Sequence, residues 1–166
     1  EKKVSEEITI QTGQGPFTLR LGGTIDRMDA KESTLRIVDY KTGGSPKIPA
    51  NIEQLFTPSE TRPNYIFQTF LYAAIVCRKL RERNDDRKVA PALLYIHRAA
   101  SESYSPVIEM GEPRKPKIPV NNFAFFEDEF RERLQTLLEE IFSEEEPFTQ
   151  TEDTKKCSYC DFKAIC

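Results

Sequence analysis

TIDRMDAKESTLRIVDYKTGG, residues 24–44, sets three ionisable side chains where strands seldom carry them. Asp26 falls within an alternating apolar run, and Asp39 and Lys41 close the run Leu35-Arg36-Ile37-Val38. Residues two apart in a strand point to one face, so Asp39 and Lys41 project together. The short polar link Ala30-Lys31-Glu32-Ser33 makes the two runs a hairpin, which brings Asp26 alongside them. Asp is disfavoured in strands, and a buried charge is costly unless it is paired or binds a metal. Two carboxylates with a backbone carbonyl suit a hard cation such as Mg²⁺. A neighbouring Lys can orient or deprotonate water, or stabilise charge on a phosphate. The set fits metal-assisted phosphodiester hydrolysis. The plain alternative is an Asp–Lys ion pair at a sheet edge, and the three residues alone leave it open.

Working outward, FTLRLGGTIDRMDA (17–30) alternates as one long strand, preceded by a short strand, EITIQT (7–12). TLRIVDYKT (34–42) carries apolar residues on both faces near Ile37 and Val38, which suggests a central strand covered on two sides. Residues 43–63 form a long Gly-, Pro- and Ser-containing loop. NYIFQTFLYAAIVCRKLRER (64–83) reads as a helix, with Pro63 favourable at its first turn. VAPALLYIH (89–97) and SYSPVIEM (103–110) read as strands, and GEPRKPKIP as a loop. FFEDEFRERLQTLLEEIF (125–142) is an amphipathic helix, with Phe126, Phe130, Leu134, Leu137, Leu138 and Ile141 on one stripe. The order of strands and helices predicts a mixed α/β domain around one sheet. Residues 1–150 are read as the core and 151–166 as a cysteine-rich tail.

The 166 residues are enough for one domain with a sizeable core. Hydrophobic content of 38% and charged content of 31% fit a globular chain. The longest apolar run, Phe70 to Cys77, is far too short to span a bilayer. The start, EKKVSEE, is charged and lacks both an apolar stretch and an initiator Met. The expectation is a cytoplasmic chain that is a piece of a longer one. Net charge is −3, but residues 127–146 hold nine acidic and two basic side chains. The remainder, with eighteen acidic and twenty-two basic, is mildly basic. The acidic stretch reads first as a solvated helix face.

In GGTIDRMD (22–29), IVDYKTG (37–43), QTFLYA (68–73) and the terminal C-x2-C-x5-C (157–166), the chain resembles the PD-(D/E)XK nucleases. The resemblance is to the branch of the RecB and AddB nuclease domains and the CRISPR-associated exonucleases. It implies a restriction-endonuclease-like core, a central mixed sheet flanked by helices. It implies that Asp26, Asp39 and the Tyr40 carbonyl hold Mg²⁺ or Mn²⁺, and that Lys41 is the catalytic lysine. Gln68 and Tyr72 are carried over as residues that position substrate or water; being four apart on a helix, they share a face. Arg27 and Asp29 are assigned support of the hairpin. The resemblance further implies that Cys157, Cys160 and Cys166 join a fourth, upstream Cys on a [4Fe–4S] cluster, which is incomplete in this segment. Zinc is the other metal such spacing suits. Cys77, within the apolar helix run, reads as buried. His97 reads as a surface or packing residue, and no upstream His or Glu ligand is found.

The leading expectation is a metal-dependent deoxyribonuclease of exonuclease type. It would be part of a RecB/AddB-type helicase–nuclease in recombination repair, leaving a 5′-phosphate and working with a partner subunit on DNA. The alternative is a catalytically inactive nuclease fold kept for DNA binding or for iron–sulfur-stapled support. A phosphotransfer enzyme finds no phosphate loop, since neither Gly-Gly pair is followed by Lys-Ser/Thr.

Overall fold

The computed structural model describes residues 1–145, 147, 149 and 154–164. Two long strands, β1 (Lys2–Thr12) and β2 (Gly15–Ile25), pair antiparallel along their whole length, from Lys2↔Ile25 to Thr12↔Gly15. The chain then bends at Asp26 and enters β3 (Arg27–Lys31), which pairs antiparallel with β4 (Thr34–Lys41). Glu32, at the turn, takes a left-handed φ of 52°. The expected single strand over 17–30 is thus two strands in two sheets. One ladder stops at Ile25 and the next starts at Arg27, so Asp26 belongs to neither, as suits a residue poorly fitted to a ladder.

A short helix, α1 (Glu53–Phe56), interrupts the long loop. The helix α2 (Asn64–Arg81) crosses over to β5 (Lys88–Tyr95), which runs parallel to β4. The result is a mixed sheet in the order β3-β4-β5 with β4 at its centre. Two-residue strands β6 (Glu109–Met110) and β7 (Ile118–Pro119) pair with each other, and only Val107 of the segment before β6 bridges back to β5, at Ala92. The expected strand over 103–110 is therefore mostly loop. The last long element of the core is α3 (Ala124–Ile141). No described helix is long and apolar enough to cross a membrane.

Leu35, Ile37 and Asp39 form one buried stripe of β4, while Val38 is buried on the other face, as expected of a central strand. The stripe packs beneath α2, which is buried almost all round from Phe70 to Cys77. Five rings tie α1, α2 and α3 together: Phe56, Phe67, Phe70, Phe123 and Phe130, with centroids 5.0–6.0 Å apart. Of the predicted stripe on α3, Phe130, Leu134 and Leu138 are buried, whereas Ile141 is exposed.

The acidic helix is not simply a solvated face. The Glu127 carboxylate of α3 is only 3% exposed and accepts two hydrogen bonds from Arg81, at 2.7 and 2.8 Å, and one from Arg131, at 2.7 Å. Arg131 also donates to Glu6 of β1, at 3.1 Å, and to the Ala74 carbonyl of α2, at 2.6 Å. One guanidinium thus joins three elements, an arrangement its five fixed donors allow. Burial pushes the Glu127 carboxyl upward, but the two guanidiniums outweigh it and hold the group below its ordinary range. Beside it the Cys77 thiol is pushed up to about 12, by burial first and by Glu127 second, which leaves it a protonated packing group.

Arg131→Ala leaves two buried carboxylates short of a partner and is expected to cost on the order of 3 kcal/mol, read by urea denaturation near neutral pH. A carboxylate with a lowered folded pKa stabilises fully above its ordinary value of 4.5 and loses that stabilisation as pH falls through the folded value. Glu127→Gln is expected to be less stable at neutral pH and to lose less stability on acidification, measured as the urea midpoint at each pH.

Candidate active site

Continuing the β3–β4 register one step beyond Arg27↔Val38 sets Asp26 against Asp39. At the bend, Asp26 turns back on β4, where its Oδ2 accepts a hydrogen bond of 2.7 Å from the Tyr40 backbone N–H. Alternation along β4 sends Tyr40 to the opposite face from Asp39 and Lys41. Its side chain is exposed, while its main chain holds Asp26 through the N–H.

Asp39 is 4% exposed, at the end of the apolar stripe beneath α2. Its Oδ2 lies 2.5 Å from Lys41 Nζ, an ion contact without hydrogen-bond alignment, and this buried oxygen has no hydrogen-bond partner. Burial raises the Asp39 carboxyl above its ordinary range; the hydrogen-bonding capacity and charge of Lys41 pull it down, and the Asp26 charge adds to the rise. Desolvation wins, so the site favours more positive charge than Lys41 supplies.

Lys41 Nζ donates to Gln68 Oε1 at 3.1 Å, and Gln68 Nε2 donates to the Tyr72 hydroxyl at 3.0 Å. The chain Asp39–Lys41–Gln68–Tyr72 therefore runs unbroken from β4 to α2. Tyr72 is buried against β2, and only a glycine fits beneath it. A Cβ on Gly23 would lie 2.4 Å from the Tyr72 hydroxyl oxygen and 2.8 Å from Cε1. Tyr65, two turns before Tyr72 on α2, places its ring centroid 4.3 Å from Lys41 Nζ, a cation–π contact. The sequence reading missed Tyr65. Its signal was the spacing Tyr65, Gln68, Tyr72, which is one helix face.

Arg27 and Asp29 lie outside this chain. Asp29 bridges Arg27, at 2.7 Å, and Arg36, at 2.8 Å, which braces the β3–β4 hairpin on the surface. Arg36, then Arg27, hold its carboxyl below the usual range. His97 is exposed in a single 3₁₀ turn, Ile96–Arg98, edge-on to Tyr95.

A model of the PD-(D/E)XK nuclease superfamily matches residues 1–166. The chain belongs to that superfamily. It is a nuclease-type domain, and nucleases of this superfamily typically use divalent metals. No curated protein matches the sequence. The crystal structure of SSO0001 superposes with a TM-score of 0.38 at 13% identity, over 100% of this chain and 59% of that one. This chain thus spans about three-fifths of the length of SSO0001.

Among the described residues, no three His, Cys, Asp or Glu side chains form a complete protein cage for a metal. The buried Asp39 carboxylate, whose Oδ2 meets only the Lys41 ammonium and which stands opposite Asp26 in the continued register, nonetheless fits a hard cation that keeps several waters. The cysteines stand elsewhere. Cys157 ends a four-residue helix, α4 (Thr154–Cys157), and Cys160 follows, its N–H donating to the Cys157 carbonyl at 3.2 Å. Both are partly exposed free thiols, and Cys166 lies outside the described residues.

Gly23→Ala is expected to destabilise the domain by about 1–3 kcal/mol through overpacking against Tyr72. In the Tyr72→Phe background, which removes the nearest clashing atom, the penalty is expected to shrink, and a thermodynamic cycle of the four proteins checks this coupling.

Proposed function

We propose that this domain is a Mg²⁺- or Mn²⁺-dependent deoxyribonuclease whose metal is held by Asp26, Asp39 and the Tyr40 carbonyl. The observation that carries the reading is the buried Asp39 carboxylate, in ion contact with Lys41 and opposite Asp26 in the continued β3–β4 register. When bound, the cation would polarise a phosphoryl oxygen and lower the pKa of a coordinated water. Lys41 Nζ, held by Gln68, is placed to orient the attacking water or to neutralise charge growing on the phosphate. Gln68 and Tyr72 act as positioning residues, since they fix where the ammonium stands. A fold kept only to bind DNA would gain nothing from a carboxylate buried at this cost.

The finer reading is an exonuclease that leaves a 5′-phosphate and serves a RecB/AddB-type helicase–nuclease with a partner subunit. It rests on the order and spacing of GGTIDRMD, IVDYKTG, QTFLYA and the terminal cysteines. In the same reading the tail, residues 151–166, is a separate cysteine-rich element. Its Cys157, Cys160 and Cys166, with a fourth thiolate from a longer chain, hold a [4Fe–4S] cluster. Iron and sulfide analysis of anaerobically purified longer and shorter chains tests that part. A stoichiometric cluster in the longer chain alone is the expected result.

Asp39→Asn and Lys41→Met are expected to abolish Mg²⁺-dependent DNA cleavage in a nuclease assay while leaving the circular dichroism spectrum intact. The same Asp39→Asn protein, relieved of a buried charge that burial disfavours, is expected to melt at or above the wild-type temperature without metal and to lose the rise that Mn²⁺ gives the wild type. Equal cleavage by all three proteins would refute the assignment.

A further inference from the structure

The parallel pair β4–β5 ends in a concavity that the reaction above leaves unused. Two joined hollows, of about 240 and 440 Å³, share Lys47, Ile66 and Tyr95. They lie over the carboxyl ends of the two strands, because Leu93 and Tyr95 are the ladder partners of Asp39 and Lys41. That is where open α/β sheets place ligands. The smaller hollow begins at Tyr65, the ring that faces Lys41 Nζ at 4.3 Å. The Tyr65 ring thus stands between the concavity and the Lys41 ammonium.

Its walls differ in charge from the rest of the molecule. Lys47, Arg62 and Arg98 line it against one carboxylate, Glu109, on a chain whose net charge is −3. None of the three cations belongs to a described ion pair. Lys47 Nζ donates to the Thr61 and Arg62 carbonyls, at 2.8 and 3.2 Å, and so fixes the loop that carries Arg62. Arg62 Nε is buried without a hydrogen-bond partner, its guanidinium lies over the Phe67 ring at 5.4 Å, and Arg98 is exposed. Unpaired positive charge along a groove suits a phosphate backbone. The floor, by contrast, is apolar, with Ile66 and Leu93, and Tyr65 keeps 41% of its surface exposed at the entrance. An exposed ring beside an apolar floor is of use to bases whose faces are free, whereas a duplex hides those faces in its stack.

We propose that this groove holds a single DNA strand on one side of the scissile phosphate, with Tyr65 stacking on the base next to it and Arg62 and Arg98 contacting phosphates. The inference deepens the nuclease reading and rests on it for the position of the scissile phosphate. It makes Tyr65 a determinant of strand preference and gives its exposed ring a role beyond the contact with Lys41.

The test is fluorescence anisotropy of the full chain in EDTA, where no cleavage occurs. The probes are a labelled short oligothymidylate and a hairpin duplex of equal length. The single strand is expected to bind about tenfold more tightly than the duplex. Tyr65→Ala is expected to weaken the single strand about tenfold, and Tyr65→Phe to restore it. Arg98→Gln is expected to lower the slope of log affinity on log salt by about one over roughly 50–200 mM. Lys79→Gln, toward the far end of α2, is expected to change neither. Equal or tighter duplex binding, no binding of either probe, or wild-type behaviour of both Tyr65→Ala and Arg98→Gln would overturn the proposal. A parallel cleavage assay with Mg²⁺ or Mn²⁺ separates the two readings. Cleavage with unaffected groove variants leaves the nuclease reading standing and the groove refuted. Single-strand binding that depends on Tyr65 and Arg98, without any cleavage, does the reverse.

Discussion

The candidate site depends on a carboxylate placed at the end of an apolar stripe. Leu35 and Ile37 bury the inner face of β4 beneath α2, and Asp39 is the next residue on that face. The same packing that stabilises the sheet strips water from the carboxylate, and burial of a charge is expensive. Lys41, two residues on, returns part of that cost at 2.5 Å, and Asp26 returns none. The imbalance is a property of the fold: as long as α2 covers β4, the Asp39 carboxyl stays desolvated and is held above its ordinary range.

Around that point, each element has a positional task. The bend at Asp26 lets one residue leave the ladder and reach the Tyr40 N–H. The helix α2 supplies Tyr65, Gln68 and Tyr72 from one face, and so determines where the Lys41 ammonium stands. Behind the helix, the Glu6–Arg131–Glu127–Arg81 network and the cluster of five phenylalanines hold α2 in place from the far side. The geometry of the candidate site and the stability of the domain are thus coupled through one helix, pinned on one face and bonded to Lys41 on the other.

Much of this was legible in the sequence, for identifiable reasons. The period-two pattern of β4 and the unbroken helical run of α2 carry strong signals, so the hairpin, the helix and the facing of Asp39 and Lys41 follow from residue spacing. The bend at Asp26 was hidden because alternation continues through it, and only the pairing partners reveal the change of sheet. The short α1 escaped because four residues carry no period. Glu127 and Arg131 read as solvated because charges on helices usually are; their burial depends on β1 and α2 meeting α3, which no local pattern encodes. Tyr65 was overlooked because an aromatic ring on an amphipathic helix reads as core.

The position of Asp26 between two ladders also bears on how this domain tolerates changes in length. The far tip of the β1–β2 hairpin, Gly13-Gln14, lies a full strand away from the bend, so residues added there lengthen an arm and leave the register at Ile25 unchanged. The tight turn at Glu32-Ser33 has no such freedom. One residue inserted into either arm beside it would slide β3 against β4, move Asp26 out of line with Tyr40, and turn alternate side chains to the wrong face. Related chains should therefore vary in length at the first turn and keep the second at constant size, a spacing rule that can guide both circular permutation and the grafting of foreign loops.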